Sequence, residues 1–195
     1  MVQEIVNECW RSIDGYINYQ VSNLGRVRNS NTGRILTGSR NSFGYLTVSL
    51  SKDKSSSTQS VHRLVAREFL ENPGNKTSVD HIDRDKTNNN ITNLRWATQS
   101  ENLGNGSKRT KGSSNFKGVS RLKRTGKWQA QIKNKGRSIH LGYFDDEIDA
   151  ANAYNAKAIE LFGEYACLNK IDEDNTLDYD DEDESETEAT DETAE

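Results

Sequence analysis

The apolar residues of this chain arrive in short runs broken by Gly, Asn, Ser and Lys, and this pattern strongly limits the folds open to it. Hydrophobic residues make up 32% of its 195 positions and there is a single proline, Pro73. That is lean for one large core, so small modules with exposed working surfaces are expected. No apolar stretch approaches the ~18 residues that span a bilayer. The opening "MVQEIVNECW" has no basic start followed by an apolar run, so no signal peptide is expected. Cys9 and Cys167 lie far apart with no CxxC pair, which argues against a zinc finger and for a reducing compartment.

The net charge of −4 hides a strong partition. Residues 172–195 hold fourteen Asp or Glu and no Lys or Arg, leaving residues 1–171 with a net charge of +10. A basic body with an acidic tail points to a polyanionic partner. The tail is expected to be disordered, because it has little apolar surface to bury.

The pattern along the body divides it. Residues 1–60 alternate in short strands, with Val21, Leu24, Val27, Ile35, Leu46, Val48 and Leu50 marking the inner positions of a small twisted antiparallel sheet. In "VHRLVAREFL" (61–70) the period changes, and Val61, Leu64, Val65 and Phe69 share one helical face. Pro73 and Gly74 end that helix. After a polar loop, "LRWAT" reads as a short strand, and Thr98 with Glu101 forms a T-x-x-E capping box that opens a helix. The Gly/Ser/Lys-rich run 103–115 reads as a flexible basic linker. Beyond it, three strands joined by turns near Gly126 and Gly136 set Trp128, Ala130 and Ile132 on one face and Gln129, Gln131 and Lys133 on the other. A helix follows, capped by Asp145 or Asp146 and stopped by Gly163, with Ile148, Ala151, Ala158 and Phe162 over the apolar face. By strand alternation Trp128 faces that helix, as a core residue.

The polar loop carries the chemistry. "VDHIDRDKTNNNITNL" (79–94) concentrates aspartate, histidine and asparagine. As a calcium loop starting at Asp83 it fails twice, because Asn88 stands where glycine is needed and Leu94 where a bidentate glutamate is needed. As a zinc site it lacks ligands, since no second histidine or cysteine lies near His81. A polar loop of Asx turns remains a sufficient account of most of these side chains. The strand–loop–strand–helix order can nevertheless place Asp80 and Asn102 as oxygen ligands on opposite sides of one magnesium or manganese ion. His81, next to a ligand, is then positioned to take a proton from an attacking water.

"VHRLVAREFLENPGNKTSVDHIDRDKTNNNITNLRWATQSEN" (61–102) resembles the HNH nuclease motif, in the variant found in phage and intron-associated homing endonucleases. The resemblance implies His81 as general base, Asp80 and Asn102 as metal ligands, and Asn93 as the central asparagine that steadies the histidine-bearing strand. The final motif position is often histidine and is asparagine here, a neutral ligand that implies modest metal affinity. His62 matches the "VHR" segment and is expected to pack or touch phosphate rather than do chemistry. The resemblance further implies one Mg2+ or Mn2+ ion per site, no small-molecule cofactor, double-stranded DNA as partner, no membrane association, and a monomer that nicks. Cleavage would leave 5′-phosphate and 3′-hydroxyl ends, in the cytoplasm of a bacterial or phage-infected host cell. A non-cleaving DNA-binding regulator on a degenerate scaffold, or an RNA-cleaving enzyme, are the alternatives.

Residues 10–36, with the core "YQVSNLGRVR", are similar to a type-four nuclease-associated modular domain. Arg26, Arg28, Arg34 and Arg40 give that sheet a basic surface for phosphates. Residues 115–169 resemble the APETALA2-type DNA-binding domain, whose sheet enters the major groove. Residues 111–137 hold nine Lys or Arg and no acid, in keeping with such a role. The positions matching its contact face are Lys117, Ser120, Leu122, Arg124, Gln131, Lys133, Arg137 and His140, while Tyr154 matches a helix tyrosine that reaches phosphate. Ser120 and Leu122 replace arginines of the plant proteins and His140 replaces a tryptophan, so the plant target sequence does not carry over. The expected class is α+β, with an N-terminal sheet module (1–60), a ββα-metal centre (61–106), a linker (107–114), a three-stranded sheet plus helix (115–170) and an acidic tail (171–195).

Overall fold

The computed structural model describes residues 7–108 and 112–171. The acidic segment 172–195 and the middle of the expected linker, 109–111, lie outside the described residues. Among the described residues, no helix is long and apolar enough to cross a membrane.

The N-terminal segment forms two three-stranded antiparallel sheets where one was expected. The first joins β1 (Trp10–Ile13), β2 (Tyr16–Ser22) and β3 (Val27–Asn29). The second joins β4 (Ser39–Arg40), β5 (Leu46–Lys52) and β6 (Ser55–Ser60). Helix α1 (Val61–Phe69) lies against both, and the period change at Val61 explains why. Val61, Leu64 and Val65 recur on one helical face and are almost fully buried.

That face belongs to one core with Ile13, Val21, Val27, Val48 and Leu50 of the sheets and with Val79 and Leu94 of the next unit. The expected boundary at residue 60 therefore separates two sequence patterns, while the core runs across it. Neither side can bury its apolar face alone, and burial of Leu64 by itself contributes about 1.5–3 kcal/mol.

Strands β7 (Ser78–His81) and β8 (Leu94–Ala97) form a two-stranded hairpin, followed by α2 (Gln99–Asn105). The capping box of α2 forms as the sequence indicates. Thr98 Oγ1 accepts from the Glu101 N–H, and Glu101 Oε2 accepts from the Thr98 N–H. The helix runs through Asn105, two residues past Leu103 and into the stretch expected to be linker.

The C-terminal sheet has the order β11–β10–β9, from β9 (Val119–Arg121), β10 (Trp128–Asn134) and β11 (Arg137–Phe144). Helix α3 (Glu147–Phe162) covers its apolar face. Asp146 caps α3 by accepting from the Ile148 and Asp149 N–H groups, and Gly163 closes it at φ 51. A 3-10 turn, Gly163–Tyr165, follows.

This sheet-and-helix unit packs directly on the hairpin. Ala97 shares a buried cluster with Ile132, Tyr154, Ala158, Phe162 and Tyr165. Gly104 in α2 is required by the contact, since a Cβ there would lie 2.7 Å from Phe162 Cγ. The Gly104 carbonyl accepts from Lys117 Nζ at 2.6 Å and from the Cys167 N–H at 3.2 Å.

Candidate active site

The hairpin determines which side chains meet. In its register Asp80 stands opposite Arg95, and His81 opposite Leu94. Directly opposed residues project from the same face of an antiparallel pair, so Asp80 and Arg95 are neighbours by construction. Between the strands, residues 82–93 close a loop through its own polar groups. Asp83 Oδ1 accepts from the Asp85 N–H at 2.8 Å, and Asp85 Oδ1 accepts from the Thr87 N–H at 2.9 Å. Asn93 pins the loop by donating to Asp83 Oδ1 and the Asn88 carbonyl, both at 2.8 Å, while its Oδ1 accepts from the Asp83 N–H at 3.0 Å. Desolvation alone would raise the Asp83 carboxyl, but bonds from Asn88, Asn93 and the Asp85 N–H hold it below the usual range. Asp83 and Asp85 are thus committed to loop structure.

His81 is buried at the end of β7. Its Nε2 lies 3.1 Å from Asn89 Oδ1. The Asn89 amide is oriented by its own Nδ2, which donates to the Thr87 carbonyl at 3.1 Å. The oxygen therefore faces the ring, Nε2 carries the proton, and Nδ1 is left with its lone pair. Burial lowers the His81 pKa below the ordinary 6.5, against the opposing pull of Asn89, Asp83, Asp80 and Asp85. At neutral pH the ring is neutral and able to accept a proton.

The N-terminal segment braces this arrangement. Gly25, at φ +81, comes so close that a Cβ would lie 2.6 Å from Asn89 Cβ. The Asn23 carbonyl accepts from the Ile91 N–H at 2.8 Å. His62 is buried beneath, its ring centroid 5.1 Å from that of His81 and 4.8 Å from that of Tyr45. Burial, with smaller contributions from His81 and Arg63, pushes the His62 pKa down to about 3.

Asp80 is also buried. Arg95 donates to its Oδ2 from Nε and from the second terminal nitrogen, each at 2.9 Å. Asn105 Nδ2 lies 3.0 Å from Oδ1 and 3.1 Å from Oδ2, and donates to the His81 carbonyl at 2.8 Å. Asp80, His81 and Asn102 line one open cleft of about 380 Å³ together with Tyr45, Arg84 and Lys86.

Among the described residues, no three His, Cys, Asp or Glu side chains converge to cage a metal. One carboxylate and one amide fit a hard divalent ion that keeps water and phosphate for its remaining positions. Asp80 Oδ1 receives only the Asn105 amide among the described residues, so it has donor capacity to spare for such an ion.

Sequence reading missed Arg95, Asn89 and Asn105. One sequence signal pointed to Asn105, which stands three residues after Asn102 on α2 and hence on the same face. Arg95 opposes Asp80 only once the hairpin register is known, and no local signal separated Asn89 from its loop neighbours.

The residues expected to touch DNA fall into two groups. Ser120, Gln131, Lys133 and His140 lie on one face of the C-terminal sheet, with Gln131 paired to His140 and Ser120 to Gln129. Gln131, Lys133, His140, Arg137 and Arg124 are exposed. Arg26 pairs with Glu8, and Arg28 donates to Gln20 Oε1 at 2.9 Å with its guanidinium 4.1 Å from the Trp10 ring. Two residues depart from expectation. Lys117 spends its ammonium on the Gly104 carbonyl and is half-buried, with its pKa lowered chiefly by desolvation. Tyr154 is 3% exposed, its ring packed where any Cβ on Gly118 would collide, and burial raises its pKa. Both serve the packing of the module.

Comparison with known proteins follows the same division. Residues 8–51 match the NUMOD4 motif and residues 59–103 match HNH endonuclease. The chain is 44% identical over 93 residues to an HNH endonuclease of Acanthamoeba polyphaga mimivirus, covering 48% of this chain and 28% of that protein. It is 43% identical over 97 residues to the DNA endonuclease I-HmuI of Bacillus phage SP01, covering 49% of this chain and 56% of the relative. A solved structure of DNA binding and cleavage by I-HmuI gives a TM-score of 0.47 at 43% identity, over 50% of this chain and 56% of that one. APETALA2-like protein 2 of Oryza sativa is 39% identical over 70 residues, 36% of this chain and 15% of the plant protein. The chain thus carries a NUMOD4 motif and an HNH endonuclease region, with a partial likeness to the plant protein. It spans 28% and 56% of the two nuclease relatives.

Proposed function

We propose that this protein is a divalent-metal-dependent endonuclease that hydrolyses phosphodiester bonds of double-stranded DNA, nicking one strand at each encounter as a monomer. The observation that carries this reading is the pairing of His81 and Asp80 at the end of β7. The histidine is neutral, oriented through Asn89 and open at Nδ1, and it borders the same cleft as Asp80 and Asn102.

In this reading His81 Nδ1 takes the proton of a water that attacks phosphorus, and the 3′-oxygen leaves, giving 5′-phosphate and 3′-hydroxyl ends. Asp80 and Asn102 would hold one Mg2+ or Mn2+ ion, which stabilises the charge developing on the phosphate and on the leaving oxygen. Arg84 and Lys86 border the cleft and attract the scissile phosphate. Asn93 keeps the loop closed so that His81 does not move relative to the cleft. The exposed face bearing Gln131, Lys133 and His140 reads the groove, since a β-sheet can enter it, and Arg124 and Arg137 contact phosphate from the sheet's ends. One catalytic histidine per chain favours a nick over a double break.

Incubation of the full chain with supercoiled plasmid and Mg2+ or Mn2+ tests the reading. Open circles bearing 5′-phosphate and 3′-hydroxyl ends are expected, with linear product appearing late. Plasmid that is bound but stays supercoiled with either metal would instead identify a non-cleaving DNA-binding protein.

A further inference from the structure

Arg95 uses all three of its nitrogens. Nε and one terminal nitrogen each donate to Asp80 Oδ2 at 2.9 Å. The other terminal nitrogen donates to the Glu164 carbonyl at 2.9 Å, in the turn that follows α3. The guanidinium carbon sits 3.9 Å from the centroid of the Tyr165 ring. That ring is held in turn, because its hydroxyl donates to the Trp96 carbonyl at 2.9 Å and accepts from Lys76 Nζ at 3.2 Å. Only 15% of the Arg95 side chain and 4% of the Asp80 side chain are exposed. A planar guanidinium fixed on three sides fixes the carboxylate it grips.

We propose that Arg95 is a positioning residue for Asp80 and that the turn after α3 clamps it, so the C-terminal module completes the nuclease centre as well as binding DNA. The proposal rests on the nuclease reading for its meaning, but its chemistry concerns Asp80 alone. Arg95 engages Oδ2 and leaves Oδ1 with the single Asn105 contact, so the clamp turns one oxygen toward Arg95 and keeps the other for the cation. Partners that orient a ligand in this way typically change metal affinity by about 10–100-fold when removed. Any DNA-induced movement of the end of α3 would reach Asp80 through Arg95 and, by way of Phe162 against Gly104, through Asn105.

The test uses the full chain without DNA, with Mn2+ binding read by electron paramagnetic resonance. Tyr165→Leu removes the ring from Arg95 and is expected to weaken Mn2+ binding about tenfold, while Tyr165→Phe, which keeps the ring, restores it. In nicking assays the half-saturating metal concentration should rise by the same factor in Tyr165→Leu, with the rate at saturating metal changing far less. Arg95→Lys keeps the charge but cannot grip Oδ2 and Glu164 together, and should weaken Mn2+ binding to a similar degree even if Tyr165→Leu fails to fold. The proposal is overturned if a folded Tyr165→Leu, or Arg95→Lys, binds Mn2+ as the wild type does. Tighter binding would also overturn it, by showing that Arg95 competes with the metal, as would a wild type that binds no Mn2+. A wild type that binds Mn2+ but never nicks would remove the nuclease reading and leave the clamp to be judged on the Mn2+ shifts.

Discussion

The Nε2 of His81 lies 3.1 Å from Asn89 Oδ1, and that contact decides which nitrogen of the ring is free to act as a base. Asn89 is 3% exposed and cannot turn its amide without losing the Thr87 carbonyl. Replacing it with alanine should lower the single-turnover nicking rate by about 100-fold, the lower end of the range general-base contributions span, with DNA affinity in EDTA unchanged. Measuring both quantities separates loss of orientation from loss of binding.

The same contact sets a pH dependence. Burial keeps the folded pKa of His81 below 6.5, so the acid limb of the rate profile should fall below that pH, with full activity above it. Asn89→Asp puts a carboxylate against Nε2 and raises the pKa of the ring, moving the acid limb upward. A profile that does not move between wild type and Asn89→Asp would contradict the assignment of Asn89 as the partner of His81.

His62 should appear in stability before it appears in activity. The unfolded chain titrates it near 6.5 and the folded chain near about 3, so folding favours the neutral ring. That contribution is complete above about 6.5 and is lost as pH falls toward 3, at up to ~1.4 kcal/mol per pH unit. Chemical denaturation of wild type and His62→Phe between pH 7 and 4 should give a shallower loss in the variant. Parallel curves would show that His62 does not drive the acid sensitivity.

How much of this was legible beforehand differs from residue to residue. Local signals sufficed wherever the chain interacts with near neighbours. Thr98 and Glu101 announced their capping box, the Asp145–Asp146 pair a cap that the structure assigns to Asp146, and Val61, Leu64 and Val65 the inner face of α1. Asp80 and His81 stood out because few residue types can hold a hard metal or take a proton. What the sequence could not give depends on contacts far apart in the chain. Arg95 meets Asp80 only through the hairpin register, and Glu164 reaches Arg95 from 69 residues away. Lys117 looked like a groove contact because its position matches the APETALA2-type contact face, and nothing local shows that its ammonium lies under the Gly104 carbonyl. Tyr154 looked like a phosphate contact until packing against Gly118 claimed its ring.

The shared core makes a separate prediction. Leu64 touches the cluster that joins both N-terminal sheets to the hairpin, so Leu64→Ala should cost about 2–5 kcal/mol. Loss of the N-terminal sheets and of the hairpin should coincide in one transition, monitored by tryptophan fluorescence and hydrogen exchange. Two separate transitions would mean that residue 60 is a domain boundary after all.

In the C-terminal module, Lys133 on β10 is exposed, whereas Lys117, just before β9, is bound to the Gly104 carbonyl. Lys133→Ala should reduce the slope of log affinity against log salt by about 1, while Lys117→Met should leave that slope unchanged and lower thermal stability. The opposite pattern would place Lys117 on DNA and refute its structural role.

The most direct measurement compares wild type and His81→Ala on supercoiled plasmid in Mg2+, at concentrations where a mobility shift shows both proteins fully bound. The account predicts open circles from the wild type and none above background from His81→Ala. Equal nicking by the two, or none by either, would contradict it.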